Sequence, residues 1–209
     1  MRDVAMSRPG KVVTHTRGRC ASALVGRPTI ACGLVILLTV LGPPAVGAPE
    51  VTGLLEALNL AGYAPGEMPP DFTGRTAEGR TVTLAGVRGR VILLTFWATW
   101  CPPCLGEMPV FEQLHRDFAT DGLTVLGVNV REETPAIQRY ARELGLTFPL
   151  LLDRKGEIQV LYGVIALSTT FLIGRDGRAV ARATGPRDWG TPGARALIRA
   201  LLAEPSPGR

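Results

Sequence analysis

Cys101 and Cys104 are separated by two prolines and stand where an apolar run gives way to a helical pattern. Two thiols at that spacing can alternate between a disulfide and an open dithiol, so the chemistry within their reach is thiol–disulfide exchange. Upstream, Val91–Trp97 (VILLTFW) is a near-continuous apolar, β-rich run, as expected of a central strand covered on both faces. From Pro102 the period changes. Cys104, Met108, Phe111, His115 and Phe118 recur at steps of four and three, which is one stripe of a helix. Pro102 suits the first helical position, where a missing N–H costs nothing. Pro109 falls inside the pattern and predicts a kink. Cys101 is therefore expected at a helix N-terminus, where unpaired N–H groups and the helix dipole favour an anion. A thiolate is the nucleophile of disulfide exchange, so this placement activates Cys101. Cys101 is assigned the attack, and Cys104, on the apolar stripe and the more buried, the resolution of the mixed disulfide.

Other uses of the pair fit less well. A structural zinc site needs four ligands, and the remaining candidates are scattered: Cys20, Cys32 and His15 lie in the N-terminal region and His115 far down the helix. A structural disulfide across two residues would staple almost nothing, because stabilisation grows with loop length. Neither a metal nor a cofactor is expected.

Several elements must surround the pair. Residues 49–66 read as a linker with a short amphipathic helical stretch at Val51–Leu60. Asp71–Thr73 and Thr81–Leu84 read as a hairpin across the Glu78-Gly79 turn. Leu123–Val130 is a second buried strand, Thr134–Leu144 a helix with Gly145 placed to end it, Phe148–Leu152 a third strand and Glu157–Tyr162 a short helix. Asp153, Arg154 and Lys155 read as a solvated turn. Thr170–Ile173 and Arg178–Ala183 form a hairpin across Asp176-Gly177, and Thr191–Ala203 closes the chain as a helix with Leu197, Ile198 and Leu201 inward. This order gives an α/β class, a mixed central sheet flanked by helices. It resembles a thioredoxin fold with an N-terminal β-hairpin and an inserted helix–strand segment at roughly 131–152.

The formal net charge of +5 does not point to nucleic acid. Residues 1–48 hold Arg2, Arg8, Lys11, Arg17, Arg19 and Arg27 against Asp3 alone, which accounts for the whole excess and leaves the remainder balanced. The uncharged run Thr29–Gly42 follows these basic residues, so residues 1–48 read as a leader with an apolar signal or anchor segment that holds the chain at a membrane or exports it. Residues 67–205 form the thioredoxin-like domain and 206–209 a tail.

FWATWCPPC at Phe96–Cys104, followed by Glu107-Met108-Pro109, resembles the membrane-anchored thioredoxin-like reductases of the TlpA/ResA type, including those of cytochrome c maturation. So do PPDF at Pro69–Phe72 and TTFLIGRDG at Thr169–Gly177, and the three motifs fall in the family's order between about Gly66 and Gly185. The resemblance implies an extracytoplasmic dithiol that reduces disulfides of other proteins, apocytochrome c or copper-assembly proteins among them, and is recharged by a membrane thiol-transfer reductant. Glu107 matches the family's acidic residue. Its neighbours at i+3 and i+4 are Val110 and Phe111, so no helical ion pair explains it, and it is assigned the role of general acid/base toward the Cys104 thiol; the plainer alternative is a solvated helix carboxylate. Trp100, Pro102, Leu167, Ser168 and Thr169 are the residues the resemblance sets against a protein substrate, whereas Trp97 reads as core. One departure stands out. Where the family has a cis-proline before its TTFLI strand, this chain has Ser168, and the Leu167–Ser168 peptide is expected to be trans, or cis only under strain. A serine hydroxyl near two thiolates can bond to sulfur or admit a metal, although such a site would be one ligand short.

Competing readings are weaker. A peroxiredoxin-like peroxidase wants Thr or Ser three residues before its reactive cysteine, and Cys101 has Ala98 there. A copper carrier wants wider cysteine spacing and a later histidine, and none follows His115. A degenerate binding module is the remaining alternative.

Overall fold

The computed structural model describes residues 48–206. The basic leader, the apolar run Thr29–Gly42, Cys20, Cys32 and His15 lie outside the described residues.

The central strand β4, Val91–Trp97, is buried along its whole length, as its unbroken apolar run requires. Alternate side chains serve two cores. Val91, Leu93 and Trp97 pack on one face with Met108, Phe111, Leu197 and Ile198. Ile92, Leu94 and Phe96 pack on the other with Phe72, Tyr162 and Phe171. On one side β4 pairs in parallel with β5, Leu123–Val130, which pairs in parallel with β6, Leu150–Asp153. On its other side β4 pairs antiparallel with β7, Thr169–Ile173, which pairs with β8, Ala179–Thr184, and β8 in turn with the two-residue β1, Ala61–Gly62. The mixed six-stranded sheet therefore runs β1-β8-β7-β4-β5-β6. The expected N-terminal hairpin forms a separate two-stranded sheet of β2, Thr73–Arg75, and β3, Thr81–Thr83, displaced by a residue or two from its predicted limits.

Helix α1, Ala48–Ala57, lies in the stretch read as a linker, and its Leu55, with Leu60 just beyond, is buried in the main core. Helix α2, Pro102–Phe118, begins where the proline rule places it and continues through Pro109. Its buried face is wider than the predicted stripe, since Glu107, Glu112 and Leu114 are buried beside Cys104, Met108, Phe111 and Phe118. Helix α3, Thr134–Leu144, ends on Gly145 at φ 62°, a left-handed conformation that glycine adopts without a Cβ clash. Helix α4 spans Glu157–Leu161. Helix α5, Pro192–Ala203, is capped by the Thr191 hydroxyl accepting from the Ala194 N–H, and its Leu197, Ile198 and Leu201 are fully buried. No described helix is long and apolar enough to cross a membrane.

Two expectations need correction. Asp153 is not part of a solvated turn: it is buried, and its carboxylate accepts the N–H groups of Ile158 and Gln159, supplying donors at the start of α4 with an acceptor. The Leu167–Ser168 peptide is cis, not the trans bond favoured by the intrinsic preference of a non-proline residue. Around it, the Ser168 carbonyl accepts the Gly185 N–H at 2.7 Å and the Thr169 hydroxyl donates to the Ala166 carbonyl at 2.7 Å.

Candidate active site

The sheet delivers the chain to the cysteines. After β4 ends at Trp97, the backbone turns through Ala98–Trp100, and Cys101 becomes the N-cap of α2 with an extended backbone at φ −103° and ψ 93°. Its sulfur accepts the backbone N–H of Cys104 at 3.4 Å. A sulfur that already accepts a helix N-terminal donor occupies the position where a thiolate would be stabilised by unpaired N–H groups and the dipole. The two cysteines are joined in a disulfide with their Cα atoms 5.3 Å apart. Cys104 is 1% exposed and Cys101 5%, an order consistent with an outer attacking sulfur and an inner resolving one.

The turn before the cysteines is braced from β5. Parallel pairing sets Asn129 beside Trp97, and Glu132, three residues on, reaches the turn. Glu132 Oε2 accepts the Thr99 N–H and the Asn129 amide, both at 2.7 Å, and Oε1 accepts the Thr99 hydroxyl. Trp97 itself is core, stacked at a tilt on Tyr140. Gly127 lets its indole settle against β5, because a Cβ there would lie 3.0 Å from Trp97 Nε1.

Outside the disulfide is a groove of about 440 Å³ that gathers Trp100, Cys101, Pro102 and Leu167 with Val130, Arg131, Gln159 and Ile165. Trp100 is 63% exposed and Ile165 91%. Large apolar side chains held in water beside a reactive bond suit a protein client more than a small solute. Of the five residues set against a substrate, Trp100, Pro102 and Leu167 meet here. Ser168 and Thr169 do not: both are buried, and the Thr169 hydroxyl is committed to Ala166.

Glu107 is also buried, which rules out a solvated helix carboxylate. Its Oε1 accepts the Arg187 N–H at 2.9 Å and the Trp189 indole N–H at 3.1 Å. Its Oε2 has no hydrogen-bond partner. Burial raises the carboxyl's pKa above the ordinary range, against the opposing pull of the Ser168 hydroxyl, the Arg187 and Trp189 donors and the Arg187 charge. Such a group holds its proton unusually well, a property suited to general acid/base chemistry.

Several of these residues carried no local signal. Arg187 and Trp189 lie 80 and 82 positions beyond Glu107; a tryptophan in the loop GPRDWG was the one available hint. Glu132, Arg131, Gln159 and Ile165 reach the site only through the sheet order. Among the described residues no group of three or more His, Cys, Asp and Glu is arranged to hold a metal.

Comparison with known proteins agrees with this geometry. Residues 65–182 match the AhpC/TSA family. The chain is 40% identical over 122 residues to the thiol-disulfide oxidoreductase ResA of Geobacillus thermodenitrificans, an alignment covering 58% of this chain and 70% of that protein. Among solved structures it resembles a thiol:disulfide interchange protein of the thioredoxin family from Chlorobium tepidum, with a TM-score of 0.60 and 28% identity over 67% of this chain and 99% of that one. It also resembles StoA from Bacillus subtilis, with a TM-score of 0.53 and 29% identity over 64% and 97% of the two chains.

Proposed function

The chain belongs to the AhpC/TSA family and is a thiol–disulfide oxidoreductase of the ResA type; from that premise we propose that it works outside the cytoplasm as a reductant of protein disulfides, held to the membrane or exported by residues 1–48. Clients would be proteins awaiting free thiols, such as apocytochrome c or copper-assembly proteins, and a membrane thiol-transfer partner would return the electrons.

The observation that carries this reading is the Cys101 sulfur, placed at the N-cap of α2 and opening on the apolar groove. In the reduced protein the Cys101 thiolate attacks a client disulfide, forming a mixed disulfide and releasing one client thiolate. Glu107 takes the proton of Cys104, and the Cys104 thiolate attacks Cys101. The bond to the client breaks, the second client sulfur leaves as a thiolate, and the Cys101–Cys104 disulfide forms. Two electrons pass to the client, whose thiolates are then protonated. Trp100, Ile165 and Leu167 seat the client beside Cys101, while Ser168 and Thr169 act behind that surface.

The test is equilibration of the Cys101–Cys104 couple against glutathione. A reduction potential nearer about −270 mV than about −120 mV is expected, and a value at the oxidising end overturns the reductant assignment. In parallel, Cys104→Ala should accumulate mixed disulfides with an oxidised model protein, and Cys101→Ala should form none through this site. Peroxide consumption no faster than that of a free thiol is expected; efficient turnover would favour a peroxidase instead.

A further inference from the structure

Two buried polar atoms lack hydrogen-bond partners, one on the helix that carries the cysteines and one directly after the groove residue Leu167: Glu107 Oε2 and Ser168 Oγ. Ser168 is 1% exposed and Glu107 5%, and leaving either atom unpaired away from water is costly. Ser168 is the hydroxyl that acts on the Glu107 carboxyl, and neither its Oγ nor Glu107 Oε2 is closed into a hydrogen bond with any other group. Each is the available partner for the other. A hydroxyl can donate to a carboxylate, or turn and accept from a carboxylic acid.

We propose that Ser168 is a positioning residue of this site: its hydroxyl is the switchable hydrogen-bond partner of Glu107 Oε2 and governs how tightly that carboxyl holds its proton. While Glu107 is ionised, Ser168 donates to Oε2. When Glu107 takes the Cys104 proton, the new O–H donates to Ser168 Oγ and the hydroxyl hydrogen turns away. Serine neither gains nor loses a proton over the cycle. A proline or alanine at this position has no group that can do this, so the departure from proline at 168 acquires a function in this chain.

The charges around Glu107 are few. Among the described residues, the charged group acting on the carboxyl is the Arg187 guanidinium, from the loop after β8. Trp189, from that loop, and Ser168, before β7, are neutral. On α2 itself the Cys101 and Cys104 thiols become titratable neighbours once the disulfide opens. Because Ser168 favours the ionised form, its loss should raise the pH at which Glu107 ionises.

The test is a carboxyl titration of the oxidised full chain by carbon NMR, with the Glu107 signal assigned by its disappearance in Glu107→Gln. Ser168→Ala should move the midpoint up by about one pH unit, the scale of one lost hydrogen bond to a charged group. Ser168→Thr should return it to within about 0.3 unit of the original, since the hydroxyl is retained. If Ser168→Ala does not fold, Ser168→Val set against its isostere Ser168→Thr makes the same comparison. An unchanged midpoint in the variants without a hydroxyl, or a threonine variant displaced as far as they are, overturns the proposal.

The inference uses the acid/base reading of Glu107, and the two can fail separately. The midpoint reports the serine contact itself, whereas the pH profile of mixed-disulfide resolution reports what Glu107 does. A midpoint that moves while the resolution profile stays fixed supports the contact and removes Glu107 from proton transfer.

Discussion

Glu107 and Glu112 lie five residues apart on α2 and are each 5% exposed, yet the protein holds their carboxyls in opposite ways. Glu112 accepts the Thr147 N–H at 2.7 Å, the Thr147 hydroxyl at 2.7 Å and the Arg116 guanidinium at 2.6 Å, so both oxygens are satisfied and a charge partner is present. Burial pushes its pKa up, but the Thr147 and Arg116 contacts outweigh it and hold the carboxyl below its ordinary range. Glu107 has closed hydrogen bonds on one oxygen only, and there burial outweighs the pull of Ser168, Arg187 and Trp189. Burial alone therefore does not decide which way a carboxyl's pKa moves; how completely its oxygens are paired does. Glu112 fastens α2 to the segment before β6, while Glu107 keeps one oxygen without a closed hydrogen bond and a raised pKa.

The largest effect expected from this contrast is on exchange. Glu107→Gln should slow mixed-disulfide resolution by about 100-fold near neutral pH, the lower end of what a positioned acid or base contributes. Glu112→Gln should leave the folded protein within about two-fold of the original. Single-turnover kinetics on the two variants measures this, and equal losses would break the contrast.

Stability should show the reverse ranking. Glu112→Gln weakens a buried carboxylate's contacts to two elements, and a cost of about 2 kcal/mol in urea unfolding is expected. Glu107→Gln should cost less than about 1 kcal/mol, because an amide can accept through its oxygen where a carboxyl with one unsatisfied oxygen stood.

The pH dependence of stability separates the two by sign. Glu112 has a folded pKa below its unfolded value of about 4.3, so its contribution is complete above that value and is lost as pH falls through the folded pKa. Glu107 has a folded pKa above its unfolded value, so its contribution is complete below about pH 4.3 and is lost as pH rises through the folded pKa. Unfolding of the oxidised protein across the acid-to-neutral range should therefore show opposite slopes for wild type minus Glu112→Gln and wild type minus Glu107→Gln. Slopes of one sign would show that the two carboxyls are not distinguished.

The smallest effect should come from Arg116→Ala. The guanidinium side chain is 60% exposed, so solvent screens it and a loss below about 1 kcal/mol is expected. Thermal denaturation should place Thr147→Val in the same range, since Thr147 is itself exposed and its hydroxyl shares Glu112 Oε1 with the Arg116 guanidinium.

Much of this molecule follows from local pattern. Val91–Trp97 is a run no solvent-facing strand would carry, Pro102 fixes where α2 starts, and Gly145 ends α3 because few other residues adopt its backbone. The cysteine pair could therefore be placed at a strand-to-helix junction, with its chemistry, from the order of residues alone. Asp153 defeated the same approach: its sequence neighbours Arg154 and Lys155 suggest a polar turn, while the buried donors that claim it become visible only once α4 folds back. The state of Glu107 depends still more on tertiary structure. Its energy is set by an indole and a backbone N–H some 80 residues away, by a guanidinium and by a serine hydroxyl, brought together by the turns around β7 and β8. Hydrophobic periodicity and helix signals are properties of neighbouring residues, so sequence determines them. A buried carboxyl's hold on its proton depends on distances between separate elements, and only the folded chain sets those distances.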